Sequence, residues 1–381
     1  MPTSKKIETI PLIASDMGNS RVLTVIRYGN PAAGRKAYCH AGLHADEAPG
    51  LAVMVYLISL LDEADAAGEI DGEIVLVPVA NPIGISQWRD DVLQGRFNFF
   101  DGINFNRKHL DLSKQVAGKV GGKLGNNAEQ NVSVVRDTIG EVLQTVSCQD
   151  EAEQLKYLLL SLAYDADVVL DLHCDNEALL HIYIGTPLWP DAADLSAQMG
   201  AAATLLASDS GVTPFDEACS RIWWTLSDKF PDHAIPPACM AATIELRGMS
   251  DITAETASRD AANLFLFLKR RGFVRGETPP LPPLVNEATP LRGVDIIRAG
   301  IPGVVIFCKD PGDRVQAGEA VAEIVNPLCP DNKRGRQTVT SKTDGLLFAR
   351  IHDRFARPGR VIAKVAGKTL LREKGENLLT L

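Results

Sequence analysis

The sequence lacks the long apolar runs that membrane proteins carry. None of its stretches reaches the roughly 18 consecutive apolar residues that a membrane-spanning helix requires. Residues 1–6 end in two lysines with no apolar segment behind them, so we expect no secretory signal. These absences predict a protein that has no membrane partner.

Cysteine is sparse and shows no pattern. The seven cysteines are odd in number, and no two of them have C-x-x-C spacing. A disulfide framework uses an even set of cysteines, and redox or structural metal motifs use closely spaced pairs. We therefore expect reduced thiols and a cytoplasmic location.

An excess of basic residues is also missing. The 381 residues include 39 Lys and Arg against 48 Asp and Glu, which gives a net charge of −9. Nucleic-acid binding proteins present a basic patch, so we expect no nucleic-acid partner. With 45% hydrophobic and 23% charged residues, the composition is that of a folded globular protein. The length favours two domains.

The charge is unevenly divided along the chain. Residues 1–290 hold 23 Lys and Arg against 38 Asp and Glu, a net charge of −15, whereas residues 291–381 hold 16 against 10, a net charge of +6. Residues 278–290 contain five prolines, which favour an extended connector over a helix. We therefore predict a catalytic domain over 1–277, a linker over 278–290 and a small domain over 291–381.

Strand-like and helix-like patterns alternate through the first domain, which is typical of an α/β fold with a mostly parallel sheet flanked by helices. The predicted strands are 22–27, 36–40, 73–79, 166–172, 179–184 and 241–246. The predicted helices are 50–66, 132–146, 150–163, 192–207, 220–229 and 254–271. Short β-rich runs separated by glycine turns predict an all-β second domain with strands at 304–308, 320–325, 337–341, 346–351 and 360–366.

His44 and Glu47 form an H-x-x-E pattern in the turn between a predicted strand and a long predicted helix. Ligands of open α/β sheets bind at the carboxyl ends of the strands, so this turn is well placed for a site. Imidazole nitrogens and carboxylate oxygens are both good zinc ligands. The pattern also occurs by chance in many helices, so a metal site needs a further ligand.

His173 follows the predicted strand 166–172 and is a candidate for that third ligand. Asp171 lies two residues earlier on the same strand face and could accept the second ring N–H of the histidine. Two histidines and one carboxylate leave a fourth position for water, which is typical of a catalytic zinc ion. The alternative is a histidine that is satisfied in the core or caps a helix.

Glu245 lies near the end of the predicted strand 241–246, among apolar residues. A carboxylate is costly to bury without a purpose. Glu245 is therefore a candidate general base that takes a proton from water and passes it to a leaving amine. The alternative is an ion pair with Arg247.

Four further polar residues are candidates for holding a substrate. The guanidinium of Arg107 can pair bidentately with a carboxylate, and the neighbouring Asn106 adds a donor. Arg89 and Arg96 are candidates for a second cation that stabilises an oxyanion. The more common fate of each arginine is a solvated surface charge.

In this order, the motifs resemble those of the succinylglutamate desuccinylase/aspartoacylase family, which belongs to the zinc carboxypeptidase-like (M14-type) hydrolases. The similarity spans residues 20–275 and includes Asn81-Pro82. Family members have an arginine shortly before the Asn-Arg pair, and Arg96 matches that position better than Arg89. The family often has glycine where Ala45 stands, a small change that leaves ligation undisturbed.

The resemblance implies one zinc ion per chain, bound by His44, Glu47 and His173. It also implies that Asn106 and Arg107 bind a substrate carboxylate, with Glu245 as general base and then general acid toward a zinc-activated water. The implied fold is a zinc carboxypeptidase-like α/β domain followed by a small, barrel-sandwich-like β domain.

The implied activity is hydrolysis of the amide bond in a small N-acylated amino acid or related amine, so the expected partner is a small acylated molecule. The acidic first domain suits a neutral or positively charged amine part, such as an acetylated diamino acid. One alternative is a zinc carboxypeptidase that acts on short peptides, and another is a non-catalytic homologue that binds a metal or ligand. A homo-oligomer is left open.

Overall fold

The computed structural model describes residues 3–331, 334–373 and 375–379. Met1 and Pro2, which belong to the N-terminal stretch considered above, lie outside the described residues. Within that part of the chain, no helix is both long and apolar enough to cross a membrane.

A nine-stranded mixed sheet forms the centre of the larger part of the molecule. With strands numbered along the chain, its spatial order is β1 (Lys6–Pro11), β2 (Val22–Gly29), β4 (Glu73–Val77), β3 (Lys36–Ala41), β7 (Val168–Asp175), β11 (Met240–Gly248), β9 (His181–Gly185), β10 (Ala203–Ala207) and β12 (Thr289–Pro290). The central run β4–β3–β7–β11 is parallel. β3 and β4 are buried along their whole length, as continuous apolar strands of parallel sheets are.

Helices cover both faces of this sheet and bury a separate apolar core on each side. One face carries α1 (Ala48–Ala66), α5 (Ala193–Met199) and α7 (Ala254–Arg270). The other face carries α2 (Ser113–Val120), α3 (Ala128–Leu143), α4 (Glu151–Ala163) and α6 (Phe215–Lys229). Because helices cover both faces, the sheet is accessible to a ligand mainly where its strands end.

Strands β3, β7 and β11 lie side by side and run in the same direction, so their carboxyl ends meet at one edge of the sheet. The register pairs His40 with Asp171, and His173 with Glu245. Phe215, the first residue of α6, packs on the ring of His40 with the two centroids 4.6 Å apart. The start of α6 therefore packs against this end of the sheet at His40.

The C-terminal part consists of two antiparallel sheets that pack around their own apolar core. One sheet contains β13 (Val294–Arg298), β20 (Val361–Gly367), β18 (Gly345–Arg350), β15 (Arg314–Val315) and β8 (Glu177–Ala178). The other contains β17 (Arg336–Thr340), β16 (Ala320–Val325), β14 (Gly303–Phe307) and β19 (Phe355–Ala356). The predicted fold class, a helix-flanked α/β sheet followed by β sheets, is confirmed.

Two strand pairings attach later segments of the chain to the α/β part. β8, which follows β7 in the chain, pairs with β18 of the C-terminal sheets. β12, at the end of the proline-rich segment, pairs with β10 and extends the large sheet. The division into domains at 277 and 291 stays a prediction.

The predicted helix over 192–207 is wrong in its second half. Helix α5 ends at Met199 because Gly200 adopts a left-handed conformation with φ of 67°, and the chain returns as strand β10. Helix α6 begins at Phe215, five residues before the predicted start at 220. Strand β10 and the first turn of α6 are therefore absent from the pattern predicted by the sequence.

Candidate active site

Four of the candidate residues converge at the edge where the central strands end. His44 and Glu47 lie in the turn between β3 and α1, His173 lies on β7, and Glu245 lies on β11. His44, Glu47 and His173 are each at most 3% exposed. The tight turn and two adjacent strands therefore bring together residues that are far apart in the sequence.

The side chains of His44, Glu47 and His173 form one cluster whose candidate ligand atoms lie within 4.8 Å of one another. Nδ1 of His44 is 2.9 Å from Oε1 of Glu47, and Nδ1 of His173 is 2.8 Å from Oε2 of the same carboxylate. The two imidazole rings are edge to face, with centroids 4.8 Å apart. The arrangement could hold one metal ion.

The remaining ring nitrogens of the two histidines are each placed against an oxygen acceptor. Nε2 of His44 lies 2.7 Å from Oδ1 of Asn104, and Nε2 of His173 lies 2.8 Å from Oδ1 of Asp171. Such outer partners fix the tautomer that leaves Nδ1 free to bind a metal ion. Two Nδ1 atoms and one carboxylate are a donor set that fits a catalytic zinc ion.

The electrostatics of this cluster favour added positive charge. Burial lowers the pKa of His173, but the carboxylates of Asp171 and Glu47 outweigh burial and raise it well above its usual range. Burial and the nearby Arg96 lower the pKa of His44 to about 4. One histidine is thus held neutral, as a metal ligand must be, while the carboxylates attract a cation.

Glu245 stands beside His173 because the two are register partners on neighbouring strands. Its Oε2 atom is buried and has no hydrogen-bond partner among the described residues. Burial, together with the negative charge of Glu47, raises the pKa of Glu245 to about 8. A carboxyl group with these properties can accept and return a proton near neutral pH.

Asn106 and Arg107 line the same cavity as His44 and His173. The carboxamide of Asn106 is fixed at both ends, since Oδ1 accepts from the backbone N–H of Phe215 at 2.9 Å and Nδ2 donates to Oδ2 of Asp171 at 3.4 Å. Arg107 donates from Nη1 to the carbonyl of Asn106 at 2.6 Å. Burial lowers the pKa of Arg107 to about 10, so it remains a cation.

The structure separates the two arginines that the sequence left as alternatives. Nη1 of Arg96 donates to Oε1 of Glu47 at 2.7 Å, and Arg96 lines the cavity. Arg89 lies in the exposed hairpin of β5 (Trp88–Arg89) and β6 (Val92–Leu93), and it is not among the residues that line the cavity. The fold therefore brings Arg96, and not Arg89, to the candidate site.

The C-terminal part closes one side of the cavity. It contributes apolar side chains and one lysine, namely Leu291, Val294, Ile296, Lys364, Leu378 and Leu379. Nζ of Lys364, on β20, forms an ion pair with the carboxylate of Asp175 at the end of β7. The wall of the cavity is thus built by both parts of the chain.

Sequence reasoning missed several residues of the site. Asn104 lies two residues before a recognised motif, and only its contact with His44 reveals its role. Asp216 and Glu217 line the cavity, and the signal for them was Pro214 followed by acids in the first turn of a helix. No sequence signal connects Lys364 with the cavity, because it arrives from a strand almost 190 positions after Asp175.

The family model of the succinylglutamate desuccinylase/aspartoacylase catalytic domain matches residues 33–271, more than half of the chain. The chain therefore belongs to the succinylglutamate desuccinylase/aspartoacylase family of deacylases, and the resemblance seen in the sequence is confirmed. No curated protein gives a significant match to the sequence.

Solved structures show the same fold over nearly the whole chain. A protein named for this family from Shewanella frigidimarina NCIMB 400 is 23% identical with a TM-score of 0.83, covering 96% of this chain and 98% of that one. A family protein from Shewanella amazonensis SB2B is 24% identical with a TM-score of 0.82, covering 95% and 99%. The ectoine utilization protein EutE from Ruegeria pomeroyi is 16% identical with a TM-score of 0.67, covering 96% of each chain.

Proposed function

We propose that the protein is a zinc-dependent deacylase that hydrolyses the amide bond of a small N-acylated amino acid or related amine. The observation that carries the proposal is the position of Glu245, a half-buried residue whose Oε2 atom is buried and has no hydrogen-bond partner among the described residues, beside the cluster of His44, Glu47 and His173. Membership of a deacylase family supports the reaction type.

The metal ion is proposed to be zinc, held by Nδ1 of His44, Nδ1 of His173 and the carboxylate of Glu47. The two buried imidazoles with their outer partners Asn104 and Asp171 support this choice. When bound, zinc supplies a Lewis acid that acidifies water and polarises an acyl carbonyl.

Glu245 is proposed to move the proton in the reaction. It takes a proton from the attacking water as the oxygen forms a bond with the acyl carbon. It then delivers that proton to the amide nitrogen as the C–N bond breaks, so that one carboxylic acid and one amine leave. Its elevated pKa suits both roles, since the group holds a proton readily and releases it again.

The remaining polar residues are proposed to orient the substrate. Arg107, on the wall of the cavity, pairs with a substrate carboxylate, and Asn106 holds the strand end that carries His173. Arg96 stabilises negative charge on the acyl oxygen, because its guanidinium lies against Glu47 at the cluster. Arg89 has no role in this proposal.

The substrate is proposed to be a small molecule, because side chains of the C-terminal part close one side of the cavity. A carboxypeptidase would need room for a peptide beyond the scissile bond. All seven cysteines are free, which suits the reducing cytoplasm that we propose as the location.

A screen of the zinc-loaded protein tests the proposed function. The panel contains N-acetyl and N-succinyl amino acids in one arm and dipeptides in the other. We expect turnover in the first arm alone, lost on chelation and restored by zinc. Faster turnover of dipeptides would favour the carboxypeptidase, and no turnover together with no bound metal would favour a non-catalytic binding protein.

A further inference from the structure

Two acidic residues at the start of α6 are buried without being satisfied. Asp216 and Glu217 are each 6% exposed. The backbone N–H of Ser210 donates to Oε1 of Glu217 at 2.7 Å, but Oε2 of Glu217 and Oδ1 of Asp216 have no hydrogen-bond partner among the described residues. Burying a carboxylate oxygen without a hydrogen-bond partner costs free energy. We therefore expect a ligand to supply the partner.

Helix capping does not account for this burial. Acidic residues in the first turn of a helix are stabilised by the helix dipole. Glu129 of α3 and Glu153 of α4 have this stabilisation while they remain exposed to water. Asp216 and Glu217 sit in the same turn position but face a cavity. Burial raises the pKa of both carboxyl groups above the usual range, as expected where negative charge lacks a counter-cation.

Both acids line the cavity that His44, His173 and Arg107 also line. The charge of Asp216 acts on the guanidinium of Arg107, and the charge of His173 acts on Asp216. An acidic group therefore lies within electrostatic range of both the carboxylate-binding arginine and the proposed reaction centre. A ligand that spans this space meets a cation at one point and carboxylates at another.

We propose that Asp216, supported by Glu217, is a specificity-determining subsite for a free primary ammonium group on the amine part of the substrate. The inference rests on the proposed function and narrows its substrate class to acylated diamino compounds. The substrate carboxylate pairs with Arg107, and its ammonium group donates hydrogen bonds to Oδ1 of Asp216. The ammonium group thus supplies the hydrogen-bond partner that Oδ1 of Asp216 lacks among the described residues.

The free ammonium can come from two sources, the α-amino group or the end of the side chain. Three acetylated compounds of nearly equal size separate them. Nα-acetylornithine has a free side-chain ammonium, Nδ-acetylornithine has a free α-ammonium, and Nα-acetylnorleucine has a methyl group in place of the side-chain ammonium. The ornithine compound with the higher kcat/KM identifies the source.

For the native protein we expect one ornithine compound to exceed Nα-acetylnorleucine in kcat/KM by about 10- to 100-fold, the effect of a desolvated charge pair. Asp216→Asn removes that advantage, so the ratio of kcat/KM for the ornithine compound to kcat/KM for Nα-acetylnorleucine falls to about one. The matched control is Asp228→Asn, which makes the same change at an exposed position of the same helix and keeps the preference. Equal kcat/KM for all three compounds in the native protein overturns the inference while the proposed function stands.

Binding provides a second measurement that does not depend on turnover. Calorimetry compares free ornithine with free norleucine on the zinc-loaded full chain, and at least tenfold tighter binding of ornithine, lost in Asp216→Asn, supports the inference. Equal binding overturns it. If none of the acylated compounds is hydrolysed, the proposed function fails and the calorimetric preference alone decides the ammonium subsite. Glu217→Gln replaces Asp216→Asn if the latter does not fold.

Discussion

Glu245 and His173 are register partners in the parallel pairing of β11 with β7. Neighbouring strands lie about 4.8 Å apart, so the proposed base and the proposed metal ligand are spaced by the hydrogen bonds of the sheet. Rigid elements position catalytic groups better than loops do. The sheet therefore sets the spacing of the proposed base and one proposed metal ligand.

The first prediction concerns the metal ligands. His44→Ala removes one of three donors, and we expect the purified protein to lose its zinc and at least about 100-fold in turnover, since zinc is the proposed Lewis acid. Metal analysis by mass spectrometry measures the zinc directly. His233→Ala, in the loop after α6 and outside both the cluster and the cavity lining, serves as the control and should retain a full equivalent of zinc. Stoichiometric zinc in His44→Ala would remove His44 from the site.

The second prediction concerns Asp171, which holds Nε2 of both His173 and His40. Asp171→Asn weakens the orientation of His173, so we expect zinc affinity to fall by about 10- to 100-fold. Competition with a fluorescent chelator measures the affinity. At saturating zinc, most of the turnover should return, because Asp171 positions a ligand and does not touch the substrate. A turnover defect that zinc cannot rescue would contradict a positioning role.

The third prediction concerns pH and the stability of the metal-free protein. The folded state holds the pKa of Glu245 at about 8, above its usual value of 4.5. Between pH 4.5 and pH 8, the Glu245 carboxyl group is ionised in the unfolded chain but still protonated in the folded protein. The free energy of unfolding of the unsubstituted protein therefore falls relative to that of Glu245→Gln over this range and stays constant at higher pH. Urea unfolding at pH 5 and pH 8.5 should show the difference in free energy of unfolding between the two proteins changing by a few kcal/mol. A difference that does not change with pH would show that Glu245 ionises normally.

The fourth prediction concerns the ion pair of Lys364 with Asp175. Lys364→Met leaves a mostly buried carboxylate without its cation, so we expect the free energy of unfolding to fall by about 2 kcal/mol at pH 7. Burial raises the pKa of Asp175, but Lys364 and other partners lower it below its usual range, so the loss should shrink below about pH 4. Lys368→Met, at an exposed ion pair with Glu287, is the matched control and should change stability little. Equal effects of both substitutions would argue against a structural role for the buried pair.

The central part of the site could be predicted from the sequence, because its residues follow recognisable strand ends. His44, Glu47 and His173 lie in short motifs at the carboxyl edge of apolar strands, and the structure places them in one cluster. Glu245 stood out as a lone acid in an apolar strand. In each case the local sequence pattern was enough to identify a residue that the fold places in the site.

The rest of the site depends on contacts between distant segments. Arg89 and Arg96 looked alike in the sequence, and only the course of the chain brings one of them to Glu47. The first turn of α6, with Asp216, was missed because residues 215–219 carry both acids and apolar residues. Lys364 could not be assigned, since the packing of β20 against the end of β7 has no local sequence signal.

The most direct test of the account is the turnover of Glu245→Gln at full zinc occupancy. The substitution keeps the shape of the side chain and removes its ability to take and return a proton. With the best substrate of the screen, we predict that kcat falls by about 100- to 10,000-fold while metal analysis still finds one zinc ion per chain. Near-native kcat in a zinc-loaded Glu245→Gln protein would contradict the proposed mechanism.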